Sequence, residues 1–281
     1  MYAVNAMLPF RTQSSGFLSS YVPGVTAGVV AKFLTPFTRP VHFSPYPFRI
    51  SWIKDSADAG DYIKIDRYNY SNGNYTLDAS NVYTITDMDQ GVYRYDSETG
   101  ELNQANAESR LDVTIYNSSN VQLSETLTID VKSDCSQYGI TPLYMRWLNY
   151  LGGEDFWLFT AQKLYSVEVL ESKTQDINIY NDWPNSWGEF SDSITRQTGR
   201  RSRNTVKVSS QYLTAAQRDA VAWIVSSPMV QILTSTPGSF ITLWQTVIVE
   251  AATLKKYQEN DNLYSISFNI SYTDELPAQT S

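Results

Sequence analysis

Between residues 41 and 134, apolar and aromatic side chains alternate with polar ones in six short runs: "FRISWI", "DYIKIDRY", "NVYTITD", "GVYRYD", "LDVTIY" and "TLTIDVK". A period of two places alternate side chains on opposite faces of an extended chain, so each run predicts a half-buried β-strand. In "LDVTIY", Leu111, Val113 and Ile115 fall on one face and Asp112, Thr114 and Tyr116 on the other. Turn formers such as "SNGN" (71–74) and "SETG" (97–100) separate the runs, and Asn72-Gly73 is a two-residue hairpin signal. Strands this short and this closely spaced predict a β-sandwich over 41–134, without the Cys pair of a true immunoglobulin domain.

Residues 1–40 have a different texture. Pro9, Pro23, Pro36 and Pro40 interrupt any helical period, yet apolar stretches such as "VTAGVVAKFL" persist. The pattern predicts an extended, adhesive N-terminal arm, laid either on its own domain or on a partner surface.

From 135 to 281 the pattern predicts a second β-rich domain with one short α-helix near 214–227. "KLYSVEVLES", "TVKV", "MVQILT", "ITLWQTVIVE" and "YSISFNISY" read as strands. Before the helix, Thr214 and Gln217 have capping-box spacing. Ala220, Val221, Ile224 and Val225 give an apolar stripe, and Pro228 ends it. The domain opens on "LYMRWLNYLGGEDFWLF" (143–159), where Trp147, Phe156, Trp157 and Phe159 flank a turn. Gly152 and Gly153 permit positive φ there, and Asn149 can bond nearby backbone. The turn places no metal ligand or proton acceptor, so it predicts packing. The fold class is therefore mainly β: arm (1–40), β-sandwich (41–134) and helix-bearing β-rich domain (135–281).

At 281 residues the chain has room for two domains. With 20 Tyr and 7 Trp it is rich in rings that suit strands and interfaces. The net charge of −8 argues against general nucleic-acid binding. The exception is "ITRQTGRRSRNTVK", where Arg196, Arg200, Arg201, Arg203 and Lys207 stand without an acid. This segment predicts a basic loop or hairpin tip that docks on an acidic neighbour, with DNA as a lesser alternative. A single cysteine, Cys135, excludes an internal disulfide and a paired-thiolate zinc site. No signal peptide or membrane-length apolar run is evident, which predicts a chain made in the cytoplasm and able to join a particle.

Chemistry finds little support. His42 is the only histidine and has no Gly-x-Ser-x-Gly elbow beside it, so a structural role is preferred to a catalytic one. Glu154 with Asp155, Asp182 with Glu189, and Asp58 with Asp61 lie near aromatic residues, as glycosidase acids do. Strand neighbours point apart, and surface acids are the simpler reading. Asp58, Asp61, Asp87 and Asp89 lack the order of an EF-hand, and phosphate-binding glycine motifs are absent. No catalytic residue, cofactor or metal is predicted.

The succession "RWLNYLGGEDFWLF", a basic strand pair, "YLTAAQRDAVAWIVSSPMVQIL" and "VIVE…LYSISFNISY" resembles virion structural proteins of tailed phages that infect Bacteroidetes. The resemblance covers about residues 140–273 and implies a tail or head-tail junction component whose partners are copies of itself, in a ring, and other virion proteins. It implies no catalytic residue. Two other readings stand beside it. In one, the chain is a carbohydrate- or receptor-binding module with Trp183 and Trp187 in "DWPNSWGEF" as stacking platforms for a host glycan. The other is a polysaccharide hydrolase led by Asp182 and Glu189.

Overall fold

A computed structural model describes residues 20–23, 30–54, 61–85, 91–96, 109–133, 141–161, 163–176, 195–237, 242–250 and 264–272, and among them it places fourteen strands and one short helix. The fold is mainly β. The first half of the chain contributes β1 (Val41–Ser44), β2 (Arg49–Lys54), β3 (Tyr62–Ser71), β4 (Asn74–Thr84), β5 (Gly91–Asp96), β6 (Ser109–Tyr116) and β7 (Leu127–Ser133). The second half contributes β8 (Leu143–Leu148), β9 (Glu154–Phe159), β10 (Leu164–Asp176), β11 (Thr195–Ser209), β12 (Val230–Leu233), β13 (Trp244–Val249) and β14 (Ser267–Tyr272).

A five-stranded sheet runs β1-β7-β6-β3-β4, and a seven-stranded sheet runs β10-β11-β14-β13-β12-β8-β9. The β3–β4 hairpin turns at Asn72-Gly73, with φ of 52° and 83° and Ser71 opposite Asn74. Both central residues are left-handed, as a tight hairpin that follows strand twist requires. Two features depart from simple alternation. "GVYRYD" leaves the main sheets and pairs with β2 as a two-stranded sheet. "VHFS", too short to show a period, becomes β1 and pairs in parallel with β7.

In β6, Leu111, Val113 and Ile115 are buried as the alternation requires. They join Trp147, Phe159, Val208 and Phe268 of the seven-stranded sheet in one buried cluster. That cluster crosses the boundary expected at 134/135, and residues 134–140 themselves lie outside the described set. The helix is α1 (Ala215–Val221), continued by a 3-10 turn over Ala222–Ser226. Thr214 Oγ1 accepts from the Gln217 amide while the Gln217 side chain accepts from the Thr214 amide, completing the capping box. Ser227 turns extended before Pro228, whose ring disfavours a helical residue in front of it. Ala220, Val221 and Ile224 seal one side of the core.

The basic segment is not a loop. Residues 195–209 form β11, antiparallel to β10, with Arg201 opposite Glu171 and Arg203 opposite Glu168. The Arg203–Glu168 ion pair across the ladder favours this pairing, a long-range match that composition around the arginines alone conceals.

Candidate functional site

The turn between β8 and β9 is built around Asn149. Its Oδ1 accepts from the amides of Leu151 (2.9 Å) and Gly153 (3.1 Å), and Gly152 adopts φ 88°. Its Nδ2 donates to the Leu34 carbonyl at 2.8 Å. Gly153 sits against that carbonyl so closely that a Cβ would come within 2.0 Å of the oxygen. The turn is thus a seat for residue 34.

Around that seat the segment 33–49 wraps β9. Alternate residues of β9 face opposite ways. On one side, Trp157 meets Phe37 (ring centroids 5.9 Å, stacked) and Phe43 (5.4 Å, edge-on), and Thr35 Oγ1 donates to Asp155 Oδ1 at 2.8 Å. On the other side, Phe48 packs on Phe156 at 5.5 Å and Tyr46 on Tyr144 at 4.6 Å. The Leu34 amide also donates to the Ser51 carbonyl. This wrapping explains why β9, an edge strand, is buried along its whole length. The described parts of the arm, 20–23 and 30–40, therefore lie on their own chain, with Val22 packed beside Leu34, Ile53 and Leu151.

Glu154 and Asp155 are buried, which corrects their reading as surface acids; Asp61 is buried as well. Local charge predicts exposure, but here partners distant in sequence make burial tolerable. Glu154 gathers three guanidinium groups: Arg49 and Arg94 at 3.2 Å and Arg146 at 3.6 Å. Arg146 also donates to Gln231 Oε1 at 2.8 Å and lies 4.2 Å from the Trp244 ring centroid. Asp155, the next residue along the strand, bonds Thr35 and not the arginines. Burial pushes the Asp155 carboxyl up to about 7, against the opposing pull of the Thr35 and Asn149 side chains. Its Oδ2 is buried without a hydrogen-bond partner among the described residues, as is Ser51 Oγ.

Thr35, Arg49, Ser51, Glu154 and Asp155 help line a cavity of about 20 Å³. That volume admits one water molecule. A sugar ring does not fit, so the acid near neutrality has no room for a glycosidic bond beside it. The arrangement can hold a proton and a water, and it can anchor the strap above it. His42 is fully buried beside Phe48, at 5.3 Å between ring centroids, and desolvation lowers it to about 4. At neutral pH it is an uncharged core side chain.

Of the residues singled out for partner binding, Arg203 lies on β11 in the stretch that pairs with β10, two residues before the pairing with β14 begins. It donates to Glu168 Oε2 at 2.9 and 3.0 Å and to Glu250 Oε1 at 3.2 Å, so acids of its own sheet surround it. Arg196, Arg200 and Arg201 occupy β11 opposite Gln175, Ser172 and Glu171. Trp183 and Trp187 lie outside the described residues, as do Asp58, Asp87, Asp89, Cys135, Asp182 and Glu189. Among the described residues, no three His, Cys, Asp or Glu side chains cluster as a metal site requires, and no helix is long and apolar enough to cross a membrane.

Two surfaces escaped the sequence reading. β4 and β10 are the outer strands of their sheets. β4 exposes Tyr75, Leu77 and Val82, and β10 exposes Leu164, Tyr165 and Val167. Strand alternation predicts that half of such residues are covered, and only the topology reveals which strands are left at an edge. Compared with known proteins, the chain gives no significant match to a family model, a curated protein or a solved structure.

Proposed function

We propose that this chain is a structural protein of a tailed-phage virion, of tail or head-tail junction type, that works by assembling with copies of itself and with other virion proteins. The observation that carries the assembly reading is the pair of long edges that no other strand covers among the described residues. Strands of 11 and 13 residues end the two large sheets and present large apolar side chains to solvent. Proteins that function alone blunt such edges with charges, prolines or short strands, because an open edge pairs with other chains.

The β10–β11 ribbon adds support. β11 pairs with β14 only from Thr205 to Ser209, while Thr195–Asn204 pairs only with β10 among the described residues. Ten residues of two-stranded ribbon span roughly 30 Å. A ribbon of this kind is marginal in water by itself and gains stability when a neighbour covers it. The virion class rests on the resemblance of residues 140–273, and the small size of the cavity beside Asp155 favours a structural role over hydrolysis.

Native mass spectrometry and electron microscopy of the purified chain test the proposal. Closed multimers, or stable complexes with other virion proteins, are expected. A chain that stays monomeric at high micromolar concentration, alone and mixed with virion proteins, would contradict it.

A further inference from the structure

We propose that residues 31–37 form a proton-gated strap, which the Asp155 carboxyl holds on β9 while it carries a proton and releases when that proton is lost. The inference goes beyond the assembly reading and does not depend on it.

The geometry centres on one buried carboxyl and few donors. Thr35 Oγ1 donates to Asp155 Oδ1, and the same Thr35 oxygen accepts from the Phe37 amide at 3.2 Å, so the strap's own turn is tied to the carboxyl. Asp155 Oδ2 and Ser51 Oγ have no partner among the described residues, and both residues line the one-water cavity beneath the strap. A protonated carboxyl suits this setting: its carbonyl oxygen accepts from Thr35, and its O–H can donate into the cavity. An ionised carboxylate needs several donors when buried, and exposure to water supplies them.

The surroundings do not neutralise the charge. Thr35 and Asn149 are the polar side chains that favour the ionised form, and burial outweighs both. The Tyr150 phenol, raised by its own burial and by Asp155, stays neutral through the relevant range. Arg49 and Glu154 line the same cavity with opposite charges, and those two are bonded to each other. His42, on β1, is lowered to about 4 and titrates below the window. Lifting the strap gives Asp155 water. It also uncovers the Trp157 face of β9, the last strand of its sheet.

Hydrogen exchange at the Leu34 and Phe37 amides, read from pH 5 to 8.5 and corrected for intrinsic base catalysis, tests the gate. When a closed form holds a proton that the open form has lost, the opening constant rises about tenfold per pH unit and levels off above the closed-form value. Opening at Leu34 should therefore increase at least tenfold between pH 5 and 7 and stay flat above 8. Asp155→Asn, a neutral isostere of the protonated acid, should abolish the slope. Thr35→Val should open more at every pH with the slope retained. A flat wild-type profile, or an undiminished slope in Asp155→Asn, overturns the proposal. Should Asp155→Asn fail to fold, a carboxyl-carbon NMR titration of the wild-type chain decides: a midpoint near 7 in step with Leu34 opening supports the gate, and a midpoint below 5 overturns it.

Discussion

Asn149 Nδ2 donates to the Leu34 carbonyl across 115 residues of sequence, and Gly153 presses on the same oxygen from the next turn of chain. Backbone atoms cannot swing aside as a side-chain tip can, so the 2.0 Å approach awaiting a Cβ forces the strap or the turn to move. Gly153→Ala should lower unfolding stability by about 3 kcal/mol, the upper end of the usual range for overpacking in a core. Asn149→Ala leaves buried amides and a carbonyl unsatisfied and should cost about 2–3 kcal/mol. Gly73→Ala is the control: nothing lies within 4 Å, so only the positive φ resists, at about 1 kcal/mol. Urea unfolding of the three variants should rank them in that manner, with Gly73→Ala mildest.

Asp155 also makes global stability depend on pH. Its folded value, raised to about 7, lies above the ordinary carboxyl value of 3.8 expected of an unfolded chain. Between those values the unfolded chain has released the proton and the folded chain retains it, so stability falls as pH rises through that window. Below it both states are protonated, above it both are ionised, and the contribution no longer changes. The slope approaches about 1.4 kcal/mol per pH unit when this group acts alone. Thermal unfolding should show a higher Tm at pH 5 than at pH 8 on account of this group. In Asp155→Asn that part of the difference should vanish, and an unchanged pH dependence would locate the titration elsewhere.

What the sequence made legible follows distance along the chain. β3, β6 and β7, the Asn72-Gly73 hairpin and the Thr214 cap depend on neighbours within a few residues, and each could be read directly, whereas the alternation marks β4 only from Asn81 although the strand starts at Asn74. β1 could not, because four residues show no period and its pairing with β7 reaches across the domain. The aromatic turn at 143–159 was legible as packing, while its partner, the Leu34 carbonyl, was not. Glu154 and Asp155 looked like surface acids because Arg49, Arg94 and Thr35, which make their burial tolerable, come from far upstream. The basic segment looked like a loop because the acidic strand opposite it is separated by a long connection.

The Glu154 cluster offers a separate test. Three arginines approach one nearly inaccessible carboxylate, and removing its charge leaves them close together without the shared partner. Removing one member of a buried pair costs about 3–5 kcal/mol, but Arg49 and Arg94 are partly exposed and water screens them. Glu154→Gln should therefore destabilise by about 2–3 kcal/mol. Adding salt should recover part of the loss, because screened arginines repel less. Glu154→Gln with wild-type stability at low salt would show that the carboxylate does not organise the cluster.

Charges placed on the open edges separate folding from assembly. Leu77 and Val167 are exposed on β4 and β10, at 58% and 61% of their full accessibility, so a lysine at either position reaches solvent without disturbing the core. Surface changes of this kind alter stability by about 0.5 kcal/mol or less. A lysine on an edge strand nevertheless opposes the pairing of another chain, since its charge would be buried in the new contact. Leu77→Lys and Val167→Lys should each keep the wild-type unfolding midpoint and weaken self-association by at least tenfold in sedimentation or mass photometry. If the rings form head to tail, with the β4 edge of one copy meeting the β10 edge of the next, then mixing the two single variants should restore one good contact per pair. The mixture would yield dimers but no closed rings, whereas rings of normal size and affinity from both variants would place the assembly contacts away from both edges.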